Sequence, residues 1–66
     1  MNADSDDDEK AELVKHLRRL NMAYLRNGAV PDLTVKEAKG FVSVAALRVA
    51  VEASEHRLAA IIAGVL

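Results

Sequence analysis

Between Thr34 and Leu66 the chain is apolar around too much of a helix's circumference to pack against a single neighbour. Placed on a helix of 3.6 residues per turn, Val44, Leu47, Val51, Leu58, Ile61 and Val65 form one stripe, with Ile62 beside it and Ser54 its polar interruption. Val42, Ala46, Val49, Ala50, Ala53 and Ala60 form a second stripe next to the first. Only Arg48, Glu52, Glu55 and His56 make a clear polar strip. The apolar arc spans about 200°, twice the ~100° that one packing partner requires. One stripe therefore has a cover to find beyond its nearest neighbour in the chain.

The chain is short enough for this to matter. Its 66 residues make one domain at most, and chains of that size bury only about 60% of their unfolded surface. Small domains usually gain support from disulfides, a metal or association. The absence of Cys removes disulfides, thiolate zinc sites and cysteine nucleophiles. Two histidines do not make an ordinary structural zinc site without carboxylates. Association is the remaining support. The C-terminal apolar run from Leu58 falls well short of the ~18 residues that span a bilayer. The acidic start is the reverse of a secretory leader's basic one. The expectation is a soluble cytoplasmic protein with no membrane, metal or cofactor.

Punctuation along the chain divides it into two helices. Residues 1–5 are small and polar and are expected to be disordered, leaving 6–66 as a single helical domain. The first helix is predicted over about residues 7–27, with acids in its first turn and Arg26 in its last, as the helix dipole favours. Leu13, Leu17, Leu20 and Tyr24 share one face at spacings of four, three and four. Asn27-Gly28 is a helix stop, and Pro31 bars continuation. Thr34-Val35-Lys36-Glu37 reads as a capping box that opens a second helix. From there a single helix is predicted over about residues 35–63, ending at Gly64, with Gly40 and Ser43 as local weak points. A connection as short as 28–33 makes neighbouring helices antiparallel.

The fold class expected is thus all-α: an antiparallel two-helix hairpin with a short first helix and a long, overhanging second one. Its core is predicted from Leu13, Leu17, Leu20 and Tyr24 against Val44, Leu47, Val51, Leu58, Ile61 and Ile62. A second copy, related by a two-fold axis, would cover the remaining stripe and complete a four-helix bundle. The alternatives are an obligate hetero-partner, or a break near Gly40 or Ser54 that folds the chain back as a three-helix monomer.

The charge pattern supplies the candidate site. A net charge of −1 hides an asymmetry: Asp4, Asp6, Asp7, Asp8, Glu9 and Glu12 crowd the start, whereas residues 13–31 carry Lys15, Arg18, Arg19 and Arg26 and no acid. Met22 lies among these cations, where a merely solvated face would carry a polar residue. Arg and Met are both favoured at protein interfaces. The set Lys15, Arg18, Arg19, Met22 and Arg26 is therefore the predicted partner-binding face, opposite the Leu13/Leu17/Leu20/Tyr24 face. A protein partner ranks ahead of nucleic acid. Nucleic-acid modules are usually clearly basic, and two aromatics, Tyr24 and Phe41, make no stacking platform. A solvated face remains the plainer reading of the cations, and a solubilising tail the plainer reading of the acids.

Chemistry is hard to build from what remains. Glu52 and His56 stand four apart on one helical face, but a metal site takes three or four ligands. No serine has an arranged base, and the three glycines are too scattered for a phosphate loop. An enzyme is not expected. In layout alone the chain resembles ROP-type plasmid hairpins, which grip paired RNA loops, and the small phage- or plasmid-encoded inhibitors that bind a larger host regulator. The resemblance rests on no residue match and implies no site residue. The functional expectation is a homodimeric regulator that binds and inhibits a larger protein such as a transcription regulator. Behind it stand a hairpin-dimer RNA- or DNA-binding protein and a structural subunit of a helical assembly.

Overall fold

A computed structural model describes the backbone of residues 3–65 and the side chains of 5–65. The described chain is all-helical: α1 spans Ala3–Arg26, α2 Val35–Lys39 and α3 Val44–Ala63. Met1 and Asn2, part of the expected disordered start, lie outside the described residues; Ala3 to Ser5 are already helical. Helix α1 therefore begins earlier than the first-turn acids suggest.

Both long helices stop as their glycines dictate. Gly28 takes φ 72°, and the N–H groups of Gly28 and Ala29 bond back to Leu25 O and Tyr24 O at 3.0 and 2.9 Å. Gly64 repeats the motif at φ 77°, with Gly64 N to Ile61 O and Val65 N to Ala60 O, both 3.1 Å. Each satisfies carbonyls that the last turn leaves open. The capping box of α2 forms as its sequence predicts: Glu37 N donates to Thr34 Oγ1 at 3.1 Å, and Thr34 N donates to Glu37 Oε1 at 3.0 Å.

The long second helix does not form as one piece. It breaks at Gly40–Ser43, where Ser43 turns extended (ψ 121°) and caps α3 by accepting from Ala46 N. Serine competes for backbone bonds in this way at helix starts, and Gly40 and β-branched Val42 favour helix continuation too weakly to prevent the break. The break also changes direction. Glu9 pairs with Arg48, and His16 Nε2 lies 3.5 Å from Glu55 Oε1; both pairs are 39 residues apart. Moving from Glu9 to His16 along α1 moves the partner from Arg48 to Glu55 along α3, so these helices run parallel; in an antiparallel pair the later residue of one would meet the earlier residue of the other. The connection supplies the return path. Asn21 Nδ2 donates to Leu33 O at 3.0 Å, whereas Lys10 Nζ donates to Lys39 O and Phe41 O at 2.8 and 2.7 Å. As the chain advances from 33 to 41 it descends α1 from residue 21 to residue 10. The antiparallel hairpin expected between the two long helices is thus corrected to a parallel pair joined by a descending strap that contains α2. The overhang disappears with it, since the offset sets the start of α3 level with the first turns of α1.

Both helices lie along a body of 42 × 16 × 14 Å, packed over one core. Leu17, Leu20, Tyr24, Leu47, Val51 and Leu58 are buried as the periodicity predicts, joined by Val14 and Ala38. Leu13, Val44 and Ile61 are half-buried. Ile62 and Val65 are not core residues: Ile62 is 62% and Val65 73% exposed. Adjacent helical residues point about 100° apart, and Ile61 takes the place against α1. Ser54 is buried but satisfied. Its hydroxyl donates to Asp32 Oδ1 at 2.9 Å, and its carbonyl accepts from the Tyr24 hydroxyl at 2.7 Å. Helix α3 therefore passes through Ser54 unbroken.

Of the second stripe, Val42, Ala46, Val49 and Ala53 stay exposed while Ala50 and Ala60 are half-buried; Val42 is fully exposed and Val49 66% so. The two stripes make opposite predictions. Leu47→Ala is expected to cost about 2–5 kcal/mol by emptying a fully packed position, enough to unfold much of a domain this small. Val49→Ala is expected to change the stability of the single chain by less than about 0.5 kcal/mol; urea denaturation of the two variants, at a concentration too low for self-association, checks both. The cap of α2 is pH-dependent. The Thr34 backbone N–H and hydroxyl hold the Glu37 carboxyl below its ordinary value of 4.5. A depressed folded value stabilises above the unfolded one and loses that contribution as pH falls through the folded one. The Thr34 amide resonance is expected to move below pH 4.5, and Glu37→Gln should abolish that titration.

Candidate docking face

On α1 the core-facing side chains Val14, Leu17, Leu20 and Tyr24 leave the opposite side free. Lys15, Arg18, Arg19, Met22 and Arg26 are all exposed there. Lys15, Arg18, Met22 and Arg26 recur at steps of three and four because the core residues do, and Arg19 stands beside Arg18. Among the described residues, no ion pair reaches any of the four cations; the inter-element pairs are Glu9–Arg48, His16–Glu55 and Asp32–Arg57. Cations left unpaired on a protein that is acidic overall keep their charge available to an outside group.

Two of the predicted residues enter a groove. Between α1 and the end of α2 lies an open cleft of about 420 Å³ lined by Asp7, Lys10, Ala11, Val14, Lys15, Arg18 and Lys39. Its walls carry four cations against one acid, and its floor is apolar. Lys10 is fixed by its two carbonyl bonds to Lys39 and Phe41, so its ammonium holds the α2 end of the groove in place. Lys15, Arg18 and Lys39 have no such bonds among the described residues. Arg19, Met22 and Arg26 lie outside the groove, further along α1.

Sequence reasoning missed three parts of this surface. Leu25 is 65% exposed, beside Met22 at 57%; its position three residues after Met22 and seven after Arg18 was available from periodicity. Lys10 was hidden among the acids of the start. Lys39 joins the site only because the strap descends α1, which no local pattern signals. The surface around Phe41 and Val42 is mixed: Phe41 packs against the core and Val42 does not.

Other chemistry finds little purchase. Glu52 and His56 are exposed, and among the described residues no group of three His, Asp or Glu is placed to hold a metal ion. Among them, too, no helix is long and apolar enough to cross a membrane. No protein-family model, curated protein or solved structure matches the chain.

The Lys10 latch sets the shape of the groove. Lys10→Met is expected to lower stability by about 1–3 kcal/mol, the usual range for a charged hydrogen-bond donor. It should also speed amide exchange at Gly40 and Phe41, whose N–H groups bond within the α2 end. Unchanged exchange there would assign the latch no structural role.

Proposed function

We propose that this chain is a non-enzymatic interaction protein that docks on a larger protein and modulates it, inhibition being the simplest outcome of covering a working surface. The observation that carries this reading is the α1 face on which unpaired Lys15, Arg18, Arg19 and Arg26 surround exposed Met22 and Leu25. Cations alone suit a solvated surface. Large apolar side chains held among them suit a contact that excludes water, where Arg and Met are enriched. A transcription regulator is one such target, and the cytoplasm the matching location.

The second element of the reading is a homodimer. The exposed Ala46, Val49 and Ala53 on α3 form an apolar strip on the side away from α1, and exposed Val42 lies just before the helix. A second copy packing there would leave the α1 face free in both protomers. Its small side chains allow close approach of two helices, and a two-fold arrangement closes the assembly.

A nucleic-acid role uses the same cations and is the competing reading. It fits less well because Tyr24 is buried and Phe41 half-buried, leaving no aromatic for bases to stack on.

One capture experiment tests the docking reading. Tagged protein is incubated with nuclease-treated lysate of its source cell, and sedimentation is run in parallel. Arg19→Glu should lose the stoichiometric protein partner and sediment as the wild type does. Val49→Asp should sediment as a monomer. Capture that vanishes with nuclease, and binding that falls steeply with salt as phosphate contacts do, would transfer the α1 face to RNA or DNA.

A further inference from the structure

The groove at α1 and α2 narrows what the partner offers. We propose that it receives an acidic amphipathic helix of the partner protein, its carboxylates over Lys15, Arg18 and Lys39 and its large apolar side chains over Met22 and Leu25. This rests on the docking reading above and adds the chemistry of the partner's segment.

Three observations converge on that occupant. The first is charge: the groove carries Lys10, Lys15, Arg18 and Lys39 against Asp7 alone, and its three rim cations have no ion pair among the described residues. Like charges held together in this way are relieved by carboxylates and made worse by a basic segment. The second is shape. Asp7, Ala11, Val14, Lys15 and Arg18 line the groove at successive turns of α1, and the next turn carries exposed Met22 and Leu25. The result is a track along one helix, about 27 Å from Asp7 to Leu25 at 1.5 Å per residue. Helices are recognised in such tracks through anchors spaced by three, four and seven residues. The third is the order of chemistries along the track. It is acidic at Asp7, basic at Lys10, Lys15, Arg18 and Lys39, and at its far end carries the apolar pair Met22 and Leu25 between Arg19 and Arg26. A phosphate backbone presents uniform negative charge and would leave Met22 and Leu25 without an apolar partner. A helix with acids in one turn and Leu- or Met-like residues in the next matches the basic and apolar turns of the track.

The test uses the full chain and defined probes. Three synthetic peptides of about four helical turns share one scaffold: one with a Glu flank and a Leu face, one with a Lys flank and the same face, and one with the Glu flank and Leu replaced by Gln. Binding is followed by NMR on the isotope-labelled protein at physiological ionic strength. The expected result is binding of the Glu/Leu peptide with shifts at Lys15, Arg18, Met22, Leu25 and Lys39, and at least about tenfold weaker binding of the other two. Arg18→Glu and, separately, Met22→Gln should each weaken the Glu/Leu peptide several-fold while leaving the protein's spectrum otherwise folded; both residues are exposed. Equal binding of the Gln version would reduce the groove to general electrostatics and overturn the proposal, as would equal binding of the Lys version, shifts confined to α3, or a duplex RNA that displaces the peptide from the same residues at lower concentration. If these results go against it while Arg19→Glu still loses the captured protein, the acidic helix is wrong and the docking reading stands. If Arg19→Glu also retains the partner, the docking reading falls with it.

Discussion

The Tyr24 hydroxyl is the point at which the three parts of the chain are tied. It donates to Ser54 O at 2.7 Å and lies 3.2 Å from the Ser54 hydroxyl, which in turn donates to Asp32 Oδ1. The other Asp32 oxygen meets Arg57 Nε at 3.0 Å. One residue of α1, one of the strap and two of α3 thus share a single polar knot that runs from buried Tyr24 and Ser54 out to exposed Asp32 and Arg57. Tyr24 and Ser54 are buried, so their polar groups would cost several kcal/mol if left without partners. The parallel course of α1 and α3 supplies those partners, because it brings the middle of α3 and the start of the strap to the same level of α1. The knot penalises a slip of α3 along α1 in a way that Leu47, Val51 and Leu58 alone do not. Apolar contacts tolerate repacking, whereas a hydroxyl displaced by one turn loses its bonds.

This explains which features were legible in the sequence and which were not. Helix ends at Gly28 and Gly64, the Thr34–Glu37 box and the Leu17/Leu20/Tyr24 face are encoded by residues within a turn or two of one another, so local pattern suffices. The course of the chain after Lys39 is not encoded that way. Gly40 keeps helical dihedrals (φ −81°, ψ −8°), and Phe41 and Val42 bar neither continuation nor interruption. Ser43 can cap a helix or sit inside one. The decision falls to long-range terms: burial of Leu47 and Val51 against α1, the Lys10 bonds at the break, and the Tyr24 knot. Ser54 carried the clue in disguise. A polar residue interrupting an apolar stripe reads as a weak point, whereas here it marks the most constrained contact of α3.

The docking face divides along the same line. Lys15, Arg18, Arg19, Met22 and Arg26 lie on one helix and follow from its period. The groove beside them needs Lys39, contributed by an element whose position depends on the direction of the strap. Lys10 links the two problems, since the side chain that fastens the break also holds one wall of the groove. Shape of the site and route of the chain are therefore set by the same pair of hydrogen bonds.

The division of faces also bears on stability. A chain of 66 residues has little apolar surface to spare, yet Met22, Leu25, Val42, Val49, Ile62 and Val65 remain largely exposed. Each withholds burial that would contribute about 1.5–3 kcal/mol if complete. They do not scatter evenly: Met22 and Leu25 adjoin the cations of α1, and Val49 joins the alanine strip of α3, with Val42 just before that helix. On α1 the same helix that anchors the core through Leu17 and Tyr24 presents its opposite side, so core packing fixes the orientation of the exposed residues to within a rotamer. A partner arriving at that side meets side chains already placed, and the ordering entropy that binding would otherwise lose has largely been spent in folding. An apolar group left exposed on a rigid helix is thus a larger contribution to association than the same group on a loop, which is the physical reason that α1, rather than the strap, is the proposed docking element.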